Sequence, residues 1–197
     1  MLAVSVGGAQ TEPSQLRAEH QTSDSYLPEP ILQADPSARA QAQLFERHLS
    51  KLSEPVLYKG TSPKAPWSFR FTCLSPLGTF IAVRLEVKDR RTATITTKIE
   101  APDGSMTLEK RGEVSATTLK AFLELFDGTK FWSLPALDQT APEPIDGSLW
   151  LIEAKEEKSY HAVIRHNPTA GPYRELGRFF LKNLAELDDS KFAIPDY

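Results

Sequence analysis

Phe131-Trp132-Ser133-Leu134-Pro135, a Pro-rich acidic loop, and then Asp146-Gly147-Ser148-Leu149-Trp150 decide the fold of this chain. From Leu149 the residues alternate: Trp150, Ile152 and Ala154 share one face of a strand, and Leu149, Leu151 and Glu153 share the other. Lys155-Glu156-Glu157-Lys158 is a polar turn, and Tyr160 to Arg165 returns as the second strand of a hairpin. Gly171-Pro172 then opens a helix, since proline at the first helical position has no N–H to leave unsatisfied. Tyr173, Leu176, Phe180, Leu184 and Leu187 mark its apolar face.

Upstream of Phe131 a hairpin pattern again precedes a helix. Trp67, Phe69, Phe71 and Cys73 form one face of a strand, Ser75-Pro76-Leu77-Gly78 is turn chemistry, and Phe80, Ala82 and Leu85 to Val87 continue in a second strand. Lys88 to Arg91 is a polar turn, Thr92 to Ile99 a third strand, and Ala101-Pro102-Asp103-Gly104 a turn into a fourth, from Ser105 to about Lys110. Turns this short join antiparallel neighbours, so these strands form a meander. The period then becomes helical: Leu119, Phe122, Leu123 and Phe126 follow cap-forming Ser115, Thr117 and Thr118, with Gly128 at the C′ position. Earlier, Asp35-Pro36 starts a helix that runs to about Leu52 with Phe45, Leu49 and Leu52 on one side, and Pro55 closes it. The expected fold is α+β: an antiparallel meander and a second hairpin packed against two or three helices, in a single domain over 35–197.

Residues 1–34 read differently. Met1 to Ala9 is a short apolar run in which Gly7 and Ala9 are spaced like a signal-peptidase site, although no positive n-region precedes it. Gln10 to Ala34 is Gln, Ser, Thr, Glu and Pro with a few apolar residues, among them Tyr26, Leu27 and Ile31. Such a composition buries too little surface to offset its ordering entropy. The expectation is a flexible leader carrying the remnant of an export signal, hence a periplasmic or secreted protein, with the cytoplasm as the alternative. No apolar run approaches the roughly 18 residues that cross a bilayer.

From Phe131 onward the chain resembles a group of uncharacterised bacterial proteins that share W-x-L-P, D-G-x-x-W and R-x-x-P before a C-terminal helix. Here those positions are Trp132, Leu134 and Pro135; Asp146, Gly147 and Trp150; and Arg165 and Pro168. The resemblance covers about the last third and implies no activity; many members look exported, which supports an exported protein weakly. The same residues have structural uses: Asp146-Gly147 as an Asx-type turn, Trp150 as core filling, and Arg165 as a clamp on Asp146.

Composition narrows the chemistry. Lys and Arg number 23 against 26 Asp and Glu, a net charge of -3, which argues against a nucleic-acid partner. The single cysteine, Cys73, excludes an intrachain disulfide and a multi-thiolate metal site, and the strand pattern makes it a packed thiol. His161 and His166 fall on opposite faces of one strand, so they do not share a metal ion, and no residues are assigned to a metal, a cofactor or catalysis. The expected function is a non-enzymatic protein-binding domain, in one form an immunity-type inhibitor that presents an acidic loop to a basic toxin. Asp138, Glu143 and Asp146 would steer the partner, Trp132 or Tyr160 would anchor it, and Arg165 completes the candidate set. The alternatives are a small hydrolase with a site around Asp146, His161 and Arg165, with Glu143 able to stand in for Asp146, or a structural envelope protein.

Overall fold

The computed structural model describes residues 25–28, 36–60, 65–137 and 147–188. Six strands, β1 (Trp67–Leu74), β2 (Phe80–Asp89), β3 (Thr92–Glu100), β4 (Met106–Val114), β5 (Leu149–Glu156) and β6 (Ser159–His166), form one sheet in the order β4-β3-β2-β1-β5-β6. Every neighbouring pair is antiparallel, so the meander and the later hairpin meet along the β1–β5 seam. The helices are α1 (Pro36–Lys51), α2 (Ala116–Gly128) and α3 (Pro172–Phe179), the last continuing as a π-helical turn over Phe180–Leu184. The fold is therefore α+β, as the alternating and helical periods imply.

Period-2 alternation sorts the strand residues into two layers, and both layers are covered. On one face Phe69, Phe71 and Cys73 of β1, Ile81, Val83 and Leu85 of β2, and Trp150 and Ile152 of β5 pack under α2 and α3. On the other, Phe80, Ala82, Leu149, Leu151, Ala162 and Ile164 pack under Ala42, Phe45 and Leu49 of α1. Burial on both sides explains why β2 reads as a nearly unbroken apolar run: Phe80 and Ala82 face α1, whereas Leu85 and Val87 face the opposite helices. Cys73 is a fully buried thiol.

Several boundaries differ from the sequence reading. β4 extends past Lys110 to Val114, because its whole length pairs with β3. Gly128 is the last helical residue of α2, not C′, and the left-handed position falls two residues later at Lys130, φ 52°. The Ser115 hydroxyl caps α2 by accepting from the Thr118 N–H at 3.1 Å. Part of the stretch read as a leader is built into the fold: Leu27 is wholly buried against α1, and the Tyr26 and Leu27 N–H groups donate to the Glu46 carboxylate at 2.9 and 3.3 Å. Among the described residues no helix is long and apolar enough to cross a membrane.

An aromatic cluster locks α2 and α3 to the sheet. Phe71 meets Trp150 edge-on at 5.1 Å and stacks on Phe180 at 5.8 Å; Phe122 meets Phe69 at 5.0 Å and Phe180 at 5.2 Å. Gly177 permits the approach of α3, since a Cβ there would lie 2.6 Å from Trp150 Cε3 and 3.0 Å from Phe71 Cε2. Trp150→Ala should cost about 3–5 kcal/mol of stability, and Gly177→Ala about 1–3 kcal/mol through overpacking. Urea unfolding checks both, and a Trp150→Ala loss below about 1 kcal/mol would contradict this placement.

Candidate functional site

The face of the sheet beneath α1 also carries charge. Arg70 of β1, Arg84 and Glu86 of β2, Lys98 of β3 and Glu153 of β5 follow the alternation onto it, and residues 54–59 cross over them. Arg70 and Glu153, both 0% exposed, stand opposite each other in the β1–β5 ladder and form a two-bonded pair, Nε and Nη2 donating at 2.6 and 2.8 Å. Arg70 Nη1 also donates to the Pro55 carbonyl at 2.8 Å. Glu54 is shared by Arg84 at 2.9 Å and Lys98 at 3.3 Å, and Lys98 donates to the Leu52 carbonyl at 2.7 Å. Burial works to lower the Arg70 pKa, but the Glu153 carboxylate outweighs it and holds the guanidinium above its ordinary value.

Tyr160, a sequence-derived anchor, belongs to this cluster. Its hydroxyl donates to Glu153 at 2.9 Å, and its ring meets Tyr58 edge-on at 5.9 Å. Burial and then the adjacent Glu153 charge push its phenol well above the usual tyrosine value. A second tie joins the C-terminal end of α1 to β3: buried Glu100 accepts from Lys51 at 2.7 Å and pairs with His48 at 2.9 Å. Burial acts to raise the Glu100 pKa, and the Lys51 and His48 hydrogen bonds overcome it, leaving the carboxyl below its ordinary range.

Three of the steering residues, Asp138, Glu143 and Asp146, lie outside the described residues, as does the Asp146 end of the expected Arg165 clamp. Arg165 grips main chain, donating to the carbonyls of Pro135 at 2.8 Å and Ile164 at 2.7 Å, with its guanidinium 5.5 Å from the centre of the Tyr173 ring. His161 shares that face, four residues before Arg165, and its Nε2–H donates to the Leu134 carbonyl at 2.8 Å. The Ile164 N–H donates to the Ala136 carbonyl at 2.7 Å. His161 and Arg165, paired in the hydrolase alternative, thus hold the W-x-L-P segment along the outer edge of β6. Among the described residues, no group of His, Cys, Asp or Glu side chains is placed to hold a metal ion.

Trp132 sits at one end of the sheet. Its ring, 39% exposed, meets Phe126 edge-on at 6.1 Å and borders a cleft of about 110 Å³ lined by Trp67, Phe69, Arg90, Leu123, Phe126, Asp127 and Glu156. A shallower continuation passes Arg91, Thr117, Lys120 and Glu124. Trp67 and Glu156 are ladder partners at this end, whereas the flanks of the acidic loop lie at the other, where Asn167 N–H bonds the Ser148 carbonyl. The 8 residues of β5 separate the two ends by about 23 Å. The structure therefore places Trp132 apart from the described flanks of the loop, and Tyr160, opposite Lys155 near the same end as Trp132, lies on the α1 face within the ion cluster.

Sequence reasoning missed the ion cluster and the cleft. The available signal for the cluster was charge at in-strand positions, Arg70 between Phe69 and Phe71 and Glu153 between Ile152 and Ala154, on the very face that a preceding amphipathic helix needed to cover.

Arg70→Met alone leaves Glu153 buried without its cation and should cost about 3–5 kcal/mol, most of it recovered by adding Glu153→Leu; a double variant no more stable than the single one would refute this pairing. Glu100 gives a pH signature. Because its folded pKa is depressed, its contribution is complete above the unfolded glutamate value near ~4.3 and is lost as pH falls through the folded value. Glu100→Gln should cost about 1–3 kcal/mol at neutral pH and flatten the stability curve below about pH 5, so parallel curves for the two proteins would reject the tie. No protein-family model matches this chain, and no curated protein matches it significantly in sequence.

Proposed function

We propose that this chain is a non-enzymatic protein-binding domain anchored at the cleft between Trp67 and Trp132. The observation that carries this reading is Trp132, a large aromatic ring left 39% exposed beside a concave apolar floor of Phe69, Leu123 and Phe126. Half-exposed tryptophans over apolar pockets are the residues that dominate binding energy once a partner excludes water from them. Charges of both signs, Arg90, Arg91 and Lys120 with Asp127 and Glu156, rim the cleft and suit a polar border around an apolar contact. The favoured occupant is a protein segment that inserts one apolar side chain and meets the rim with charges of its own.

In its finer form the domain is an immunity-type inhibitor acting outside the cytoplasm. Asp138, Glu143 and Asp146 then provide long-range attraction for a basic toxin, separate from the Trp132 anchor. Steering and anchoring would leave different marks on the kinetics: loss of the acids slows association and weakens its salt dependence, whereas loss of the ring speeds dissociation.

Affinity capture with the tagged chain from its native extract, at low and high salt, supplies the partner for titration. Trp132→Ala should weaken partner binding by about 2 kcal/mol or more while changing stability by about 1 kcal/mol or less, since the ring is partly solvated. Binding unchanged in Trp132→Ala but abolished by charge reversal at Asp138, Glu143 and Asp146 would move the contact to the acidic loop and overturn the anchor.

A further inference from the structure

The two edges of the sheet are finished differently. Along β6 the chain covers its own edge, with Ala136 accepting from the Ile164 N–H. Along β4, among the described residues, no main-chain group pairs with the outer edge. An antiparallel strand turns alternate N–H and C=O groups outward, so β4 offers a ready template for another strand. Charge on such an edge usually deters pairing, but here the order of charges matters.

We propose that β4 pairs with β4 of a second copy of this chain, antiparallel about Lys110, joining two six-stranded sheets into one. β4 is 9 residues long and Lys110 is its centre. A bulge at Thr107 sets Met106 off the alternation, so this register aligns the regular residues 108–112 with themselves. Leu108 then faces Gly112 and Glu109 faces Arg111, each twice by symmetry. Glu109 and Arg111 side chains are 54% and 70% exposed, and their partners within the chain are distant, Lys98 at 3.9 Å and Glu86 at 4.0 Å. Directly opposed strand residues come within about 5 Å at Cβ, so the dimer gives each a closer opposite charge. Lys110 meets its own copy, but each lysine is already paired with Glu186 at 3.1 Å. Gly112 opposite Leu108 leaves room for that side chain to extend across the seam. Pairing about Gly112 would oppose Arg111 to Glu113 but would leave Leu108 and Glu109 outside the paired stretch.

Sedimentation velocity of the full chain, from micromolar to submillimolar concentration, should show a monomer–dimer equilibrium. Arg111→Glu and Glu109→Arg should each weaken it by roughly tenfold or more, since two attractive pairs become repulsive. The double variant Glu109→Arg/Arg111→Glu should restore it, and Glu113→Arg should leave it within about twofold. These side chains are exposed, so thermal melts should stay close to that of the parent. A monomer at every concentration, or a dimer unmoved by the single swaps, overturns the proposal; a dimer lost in Glu113→Arg and kept in Glu109→Arg overturns the register.

Discussion

The bidentate pair between Arg70 and Glu153 sits where the two halves of the sheet meet, and much of the remaining architecture is arranged around it. It crosses the β1–β5 seam and draws in the Pro55 carbonyl, fixing the segment that leaves α1. Glu54, three residues after Lys51 at the end of α1, continues the network to Arg84 and Lys98 on the next two strands. The connector after α1 and four strands thus share one set of charges. Shifting the β1–β5 pairing by one residue would turn each charged side chain of the shifted strand into the aromatic layer under α2 and α3. Such a slip leaves ions without partners in an apolar core, so the cluster discriminates against misregistered sheets even where its net stabilisation is small.

The strands, their turns and the three helices could be read from the sequence because local patterns encode them. Alternation at Phe69, Phe71 and Cys73, the Pro-Asp-Gly turn at 102–104 and the Leu119, Phe122, Phe126 spacing depend on neighbouring residues alone. The cluster depends on which layer lies over which face, and that is settled by long-range packing. A face bearing Arg70, Arg84, Lys98 and Glu153 looks solvent-facing until α1 and residues 54–59 are laid over it. Leu27 shows the same limit: one apolar residue in a polar stretch carries no periodic signal, yet its side chain fills a site against Phe45 and its neighbours. The aromatic cleft was half legible, since Trp132 could be named as an anchor but its pairing with Trp67 required the β1–β5 seam.

The surface divides along the strand direction. The aromatic cleft and the flanks of the acidic loop occupy opposite ends of the sheet, and the W-x-L-P segment runs between them along β6, pinned by His161 and Arg165. A motif spaced like a functional signature therefore serves first as the seal of a sheet edge. Because its carbonyls are held at 2.7–2.8 Å by these clamps, Trp132 is presented from a fixed backbone. A side chain presented from a fixed backbone has less freedom to lose when it is immobilised.

The β1–β5 seam has a consequence for how the chain is assembled. Arg70 and Glu153 are 83 residues apart, so the pairing that joins the meander to the hairpin is the most distant in sequence. The meander can form from local contacts, but β1 keeps one side vacant until α2 has crossed the sheet and β5 has been synthesised. During synthesis the strand carrying Phe69 and Phe71 is thus a transient exposed edge. The charged Arg70 between those phenylalanines acts as a gatekeeper in that interval, opposing association of nascent chains until its own glutamate arrives.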